Sequence, residues 1–369
     1  MPIDAQRLKS LFTDLVDIYS PSGKESEVVD YLDHYLREAG FAVVRQEVEE
    51  DRHNLVVLPA TGEADVLLVG HLDTVPAHDL DQYAADEHGD EIWGLGTADM
   101  KSGCAAMVEA LQAFGQADSR EVPVALALVV GEEDAGDGIM ALLRDYQFDW
   151  AVVGEPTDLR PCFDHYSYIE ISLGTTGKRM HASQARKAKN AIQIMLRLLS
   201  DLMVLIEESH PEVVYNLRDL NSATAGFAVS DSCECWLDLH LPPDLSTSAV
   251  IKDIENMIRP RYLKDKEPDV WYSFQTIHAG YSLDEQWPLP AMIREAFQER
   301  GLPWQPESFP SHSDANLLWA SGVKPILLGP GNLEKAHTSD ESISFQQVVA
   351  AADLYLGLLK ALAASRSQL

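Results

Sequence analysis

VPVALALVVGEE, residues 122–133, is a continuous apolar run that stops at Gly131 and delivers two adjacent carboxylates. The stretch from Val122 to Val130 lacks the polar alternation of a half-exposed strand, so it predicts a strand buried on both faces. Carboxylates at the end of such a strand need partners, because taking each charge out of water costs several kcal/mol. With Lys+Arg at 28 against Asp+Glu at 59, the chain supplies few cations of its own. A bound metal is the first compensation to test.

Working outward, DVLLVGH (65–71) and DWAVVGEP (149–156) repeat the pattern of a short apolar strand ending in a polar group. Between and around them lie helical periodicities. Leu8, Leu11, Phe12, Leu15, Val16 and Tyr19 share one face, and Val28, Val29, Leu32 and Leu36 share another. A small-residue helix carries Ala105, Ala106, Val108 and Leu111, and a further one is expected near Ile139 to Leu143. Strands alternating with helices predict an α/β fold, a mostly parallel mixed sheet sandwiched by helices. FAVVRQEV (41–48) and HNLVVLPA (53–60) read as further strands.

The pattern changes near Tyr166. SYIEISLGTTGKRMHAS (167–183) reads as a half-exposed strand pair, followed by an amphipathic helix through Ile192, Met195, Leu199 and Ile206. Strands near Val213–Leu217 and Cys233–Leu241, a helix through Val250 and Ile258, and VWYSFQT (270–276) complete an α+β order. An antiparallel sheet with two helices on one face satisfies it. From about Ser282 the α/β alternation of the first 165 residues resumes, with a helix over Met292–Phe297, the strand KPILLGPG (324–331) and a last helix from Val348 to Leu359. The expected division is therefore 1–165 and 282–369 for one discontinuous domain, and 166–281 for an inserted one.

Composition bounds the function. At 369 residues, with 46% hydrophobic and 24% charged, the chain is an ordinary globular sequence long enough for two domains. A formal charge of −31 argues against nucleic acid and anionic membranes as partners, and it also fits a salt-adapted source. Cys104, Cys162, Cys233 and Cys235 lack a disulfide framework, and MPIDAQRLKS lacks the pattern of a signal peptide, which predicts a cytoplasmic setting. Cys233 and Cys235 read as small core residues, because no second Cys or His pair accompanies them. No uninterrupted apolar run reaches the ~18 residues of a membrane span.

The chemistry collects at strand ends. His71, the pair Glu132 and Glu133, and Glu155 follow three apolar strands, and His337 follows a fourth. In open α/β sheets ligands lie beyond the carboxyl ends of the strands, so one rim receives all of them. GLGTADMKSG (94–103) imitates a dinucleotide fingerprint, but Asp99 stands at the third glycine position and would repel a pyrophosphate. Its glycines read instead as letting the loop come close and aim Asp99 at a cation. Nitrogen and carboxylate donors without cysteine suit Zn²⁺, with Co²⁺ or Mn²⁺ as alternatives. Five such groups and a bridging carboxylate suit two ions rather than one, and one acid of the adjacent pair is left to move protons.

HLDTVP (71–76), GLGTADMKSG, GEE (131–133), GEPTD (154–158) and AHTSDE (336–341) together resemble the dinuclear zinc aminoacylase and exopeptidase family that includes acetylornithine deacetylase, succinyl-diaminopimelate desuccinylase and carboxypeptidase G. The resemblance runs from about residue 8 to 362. It implies a zinc exopeptidase-like fold with an inserted lid and dimerisation domain, and hence a homodimer. It implies two Zn²⁺, with Asp99 bridging, His71 and Glu155 completing one site, and Glu133 and His337 the other. Glu132 would be the general base, Asp73 would orient His71, and His181 would stabilise the oxyanion, often from a partner subunit.

Some positions depart from the family pattern. The usual HxSRPxxGxNAI is HASQARKAKNAI (181–192), which puts Gln184-Ala185 in place of Arg-Pro and then Arg186, Lys187 and Lys189. Asn-Val-Val-Pro is Phe227-Ala228-Val229-Ser230, and Asp-x-Arg is Asp238-Leu239-His240. SHSD (311–314) reads as a cleft loop rather than a serine nucleophile, since no G-x-S-x-G elbow occurs. The expected function is hydrolysis of the amide bond of an N-acyl amino acid, deacetylase-type. A dipeptidase or carboxypeptidase with the same machinery is the alternative, and a non-catalytic binding relative is the alternative of another class.

Overall fold

The computed structural model describes residues 2–80, 83–117, 123–222, 226–263 and 269–366. It divides into two compact units, one of residues 1–163, 283–309 and 313–369, the other of residues 164–282 with 310–312.

The first unit begins with α1 (Ala5–Asp17), α2 (Ser26–Glu38), β1 (Val43–Glu49), β2 (Arg52–Val57), β3 (Val66–His71), β4 (Asp86–His88), β5 (Glu91–Trp93), α3 (Lys101–Ala117), β6 (Val124–Val129), α4 (Asp137–Asp145), β7 (Trp150–Val153) and β8 (Cys162–His165), whose last two residues belong to the second unit. Asp4 caps α1 by accepting from the Gln6 and Arg7 amides, and Leu8, Leu11, Phe12, Leu15 and Val16 form its buried stripe. In the main sheet the order runs β1-β2-β6-β3-β7 and on to a late strand, β15 (Lys324–Leu327). The β6/β3, β3/β7 and β7/β15 pairs are parallel, and β1/β2 and β2/β6 are antiparallel. Every residue of β3 and β6 is buried, as their unbroken apolar runs require. Val122, the expected start of the decisive strand, lies outside the described residues.

The second unit contains β9 (Ser167–Thr176), α5 (Ala191–Ser209), β10 (Val214–Ser222), β11 (Ser232–Leu241), α6 (Thr247–Tyr262), β12 (Val270–His278) and β13 (Tyr281–Ser282). Its sheet is antiparallel throughout, ordered β10-β11-β9-β12. Ile169, Ile171 and Leu173 of β9 and Cys235, Leu237 and Leu239 of β11 pack against Met195, Leu198 and Leu202 of α5 and Val250, Ile254 and Ile258 of α6. Cys233 and Cys235 are core residues here, 2% and 0% exposed. The expected strand pair over 167–183 is corrected to one strand. β9 is central and paired on both sides, and beyond it Gly177 and Lys178 donate to Asp231 and Lys189 carbonyls instead.

The chain returns to the first unit with α7 (Pro288–Glu299), β14 (Glu307–Phe309), α8 (Asp314–Ala320), β15, β16 (Ser342–Ser344) and α9 (Phe345–Arg366). β16, β5 and β4 make a small antiparallel sheet. The helix α3 packs on β3 and β6 and against α1 and α9, while α4 and α8 touch each other and cover β6, β7 and β15. By length and composition α9 could cross a membrane over Phe345–Ser365. Counting uninterrupted runs passes over it, because Asp353 and Lys360 break the run without lowering its mean hydropathy enough. Val348, Ala352, Tyr355, Leu356 and Leu359 are buried in the unit, and the helix contacts α3 and α7, so it serves as a core helix.

Candidate active site

His71 is the last residue of β3, and its side chain is 1% exposed. Its Nδ1 lies 2.9 Å from the Asp73 carbonyl oxygen, which leaves Nε2 to face outward, 3.2 Å from Asp99 Oδ1. The Asp73 carboxylate is farther from Nδ1, at 3.7 Å. It accepts instead from Ser22 Oγ and from the backbone amides of Glu132 and Glu133, at 2.7, 3.2 and 3.1 Å. One aspartate thus ties the His71 ring, through its carbonyl, to the GEE turn, through its carboxylate. The turn itself needs Gly131, whose φ is 78° and whose position leaves no room for a Cβ beside Asp137 and Arg52.

Among the described residues, three groups place one ligand atom each within 4.8 Å of one another: His71, Asp99 and Glu155; Asp99, Glu133 and His337; and His71, Glu132 and Glu133. Asp99 belongs to the first two. Its Oδ1 faces His71 Nε2, and its Oδ2 lies 3.4 Å from His337 Nε2. His337 also lies 2.9 Å from Glu133 Oε2. Glu132 comes 3.8 Å from His71 Nε2. The five expected ligands and Glu132 therefore meet in the first unit.

Burial opposes charge on most of these groups, and their neighbours decide the outcome. Burial, with help from Glu155, Asp314 and Glu133, pushes Glu132 well above the usual carboxylate range. Burial likewise raises Glu155 and Glu133. Asp99 is also buried, but hydrogen bonds from His337 and His71 hold its carboxyl below the usual range. His71 is desolvated, yet Asp99, Glu132, Glu155 and Asp73 raise it well above 6.5. Hydrogen bonds to Asp99 and Glu133 bring His337 up to about 10. Two imidazoles thus carry the compensation for several crowded carboxyls. Neutral imidazole nitrogens and ionised carboxylate oxygens at these separations are a donor set that fits borderline divalent cations, which would relieve the crowding.

Residues 67–361 match the family model described as Peptidase family M20/M25/M40. The chain belongs to this family. It is 29% identical to an acetylornithine deacetylase of Vibrio atlanticus over 359 residues, covering 90% of this chain and 91% of the relative. It is 26% identical to an acetylornithine deacetylase of Proteus mirabilis, covering 86% and 84% of the two chains. A tripeptidase from Staphylococcus aureus shares the fold with a TM-score of 0.84 at 21% identity, covering 99% of this chain and 100% of that one. Human carnosine dipeptidase 1 shares it with a TM-score of 0.76 at 11% identity, covering 98% and 97%. Membership of this peptidase and amidohydrolase family agrees with the α/β fold.

The other residues singled out in the sequence lie outside these three groups. His181 is in the second unit, outside the three groups, and caps the 3₁₀ turn Ala182–Lys187 by accepting from the Ser183 amide at 3.2 Å. Arg186 and Lys187 are exposed in that turn. Burial lowers His240, on β11, below the ordinary imidazole value, and its Nδ1 has no hydrogen-bond partner among the described residues. SHSD is not a simple loop: Ser313 and Asn316 form the capping box that starts α8, and Asp314 is 2% exposed.

Two buried acids of the first unit, Asp314 and Glu341, lie in SHSD and AHTSDE, where the sequence assigns neither a role. Burial raises Asp314 to about 7, and its Oδ1 has no partner among the described residues. Glu341 accepts from the amides of Gly96, Ala98 and Asp99. The signal for Glu341 is its place four residues after His337 inside AHTSDE. For Asp314 it is an acid directly after a helix-capping serine.

Proposed function

We propose that this M20-family protein is a metal-dependent amidohydrolase that cleaves the amide bond of an N-acyl amino acid, in the manner of an acetylornithine deacetylase. Its centre holds two divalent ions, zinc first and Co²⁺ or Mn²⁺ as alternatives. His71, Asp99 and Glu155 hold one ion, and Asp99, Glu133 and His337 hold the other. The observation that carries this reading is the pair of Asp99 oxygens, each turned toward a different histidine. When bound, such ions supply Lewis-acid polarisation of the scissile carbonyl and activation of water.

The chain's own residues do the rest. Glu132, 3.8 Å from His71 Nε2 and required by neither ligand set, is the group that accepts the proton of the attacking water and passes it to the leaving nitrogen. Asp73 keeps Glu132 in place through the turn amides, and its carbonyl keeps the Nε2 of His71 free to ligate. His181 is assigned the oxyanion. Because its Nδ1 accepts from the Ser183 amide, the ring proton sits on Nε2, available to donate. The proposal includes a homodimer through the second unit, supported by the exposed Ile192, Leu196 and Val204 of α5 and by the edge strand β10. It also includes a cytoplasmic setting, supported by four buried cysteines that form no disulfide.

A dipeptidase or carboxypeptidase is the second reading. The neutral His240, standing where the family pattern has an arginine, is a weaker carboxylate partner and favours testing other substrates. Zinc-loaded protein is assayed on N-acetylornithine, other N-acetyl amino acids and dipeptides, beside Glu132→Gln. Turnover of acetylated substrates alone supports deacetylation, and turnover of dipeptides alone supports the second reading. A Glu132→Gln protein that holds two metals and works near the wild-type rate sinks the mechanism.

A further inference from the structure

The loop that presents Asp99 is not part of the main sheet. Gly94 and Gly96, at φ 146° and 79°, let it run against α1 and Thr74, where a Cβ on Gly96 would come 2.9 Å from Thr74 Cγ2. What holds it from the other side is one carboxylate. Glu341 Oε2 accepts from the Gly96 amide at 3.0 Å, and Oε1 accepts from the Ala98 and Asp99 amides at 2.9 and 3.1 Å. The Glu341 carbonyl accepts from Gly94 at 3.1 Å. Glu341 is 4% exposed, so water does not substitute for these bonds.

We propose that Glu341 is a positioning residue of the centre, setting Asp99 so that its two oxygens meet His71 and His337 together. The inference rests on the reading that Asp99 bridges two ions. Its structural logic is economy of connection: the segment after β15 supplies His337 as a ligand and, four residues later, clamps the loop that carries the bridge. Lys101 locks the same loop from behind, with its amide donating to the Gly96 carbonyl at 3.0 Å and its Nζ to the Leu15 and Ile18 carbonyls. The clamp needs a carboxylate. A glutamine offers one acceptor oxygen and would turn its own N–H groups toward backbone N–H groups.

The test compares wild type, Glu341→Gln and Asp90→Asn. The Asp90 carboxylate accepts from the Gln346 amide and the Ser344 hydroxyl, and its carbonyl from the Phe345 amide, so its side chain anchors the far end of the same segment without touching the Asp99 loop. Backbone hydrogen exchange is followed in metal-free protein, zinc binding by calorimetry, and site geometry by the visible spectrum of the cobalt-loaded protein. In Glu341→Gln, exchange at Gly96, Ala98 and Asp99 is expected to quicken by at least about tenfold. Affinity for both ions is expected to fall by about 10- to 100-fold, as when other supports of ligands are lost, and the cobalt spectrum to change. Asp90→Asn is expected to leave the affinities and the spectrum unchanged.

Unchanged exchange in Glu341→Gln overturns the clamp. Quickened exchange with unchanged zinc affinities overturns the positioning role. If wild type binds no zinc, the proposed function fails, whereas the exchange arm still decides whether Glu341 holds the loop. Should Glu341→Gln fail to fold, Glu341→Asp, which keeps the charge at shorter reach, is read in the same way.

Discussion

In the first unit His71 and His337 both face Asp99, and carboxyls raise the two imidazoles above their ordinary value. In the second unit His278 Nδ1 lies 2.6 Å from His312 Nε2 with the rings stacked, and His312 and His240 each lie against Tyr168. There burial, joined by repulsion from His278, His165 and His240, lowers His312 to about 3, and burial lowers His165 to about 4. His71 is as deeply buried as His165, and His312 is partly buried. The neighbours differ: acids keep a buried imidazole charged or ready for a cation, whereas other imidazoles add to the effect of burial in keeping it neutral. A histidine is thus a candidate ligand because of its company.

The strongest way to break this contrast is to remove the acid that both first-unit histidines share. Asp99→Asn is expected to lower kcat/KM by about 10³-fold or more, about 4 kcal/mol at the barrier, and to weaken both metal sites together. Retention of two metals per chain with near wild-type turnover would show that the histidines do not depend on Asp99.

Opposite responses to pH should separate the units in chelated protein. His165 and His312 have folded values below the unfolded ~6.5, so the unfolded chain binds the extra protons as pH falls. Their contribution is complete above about 6.5 and is lost on acidification toward pH 4, at roughly 1.4 kcal/mol per pH unit for an independent group. Mutual repulsion makes the pair titrate jointly, so the two slopes do not simply add. His337 has the reverse sign: raised to about 10, it contributes fully below about 6.5, and that contribution is lost as pH rises toward 10. Its side chain is 50% exposed, so solvent screening makes that slope shallower. Peptide-level hydrogen exchange at pH 5, 7 and 9, corrected for intrinsic rates, reads each unit by itself. Loss of protection on the same side of neutrality in both units would contradict the contrast. His312→Phe, which keeps a ring in the stack, should flatten the acid-side loss in the second unit.

Smaller effects are expected from backbone strain. Gly131→Ala would place a Cβ 2.0 Å from Asp137 Oδ1 and 2.6 Å from Arg52 Nη2, at a positive φ, beside the ion pairs that join Arg52 to Glu25 and Asp137. Urea unfolding should show a loss of about 1–3 kcal/mol, with reduced turnover because the following residues are Glu132 and Glu133. An unchanged midpoint would mean the turn is not strained. Gly174→Ala meets the Trp271 ring at 1.9 Å, but Trp271 is 44% exposed on the edge strand β12 and can swing away. The same measurement should show about 1 kcal/mol or less, and a larger loss would mean that the indole is fixed.

Much of the fold is legible where one segment carries its own evidence. β3, β6 and β7 show as unbroken apolar runs, α5 and α6 show as stripes, and β15 can be expected to rejoin the first sheet. The strands β4, β5 and β16 are not legible, because DEH, EIW and SIS are too short to show a period. Nor does the alternation of β9 reveal its place, because pairing on both sides is what makes it a single central strand rather than half of a hairpin.

By itself the sequence determined which strands are buried, and therefore which residues stand at their ends: His71, Glu132, Glu133 and Glu155. Periodicity is a local property, and burial of an apolar run follows from it almost without regard to the partner. Tertiary structure alone decided that Asp99 faces both His71 and His337, that Asp73 holds the GEE amides by its carboxylate and His71 by its carbonyl, and that Glu341 clamps the Asp99 loop. It also decided that His278, His165 and His240 together act on the titration of His312. Hydrogen bonds and charges act over a few ångströms, so their partners are fixed only when the intervening chain closes and brings distant loops together.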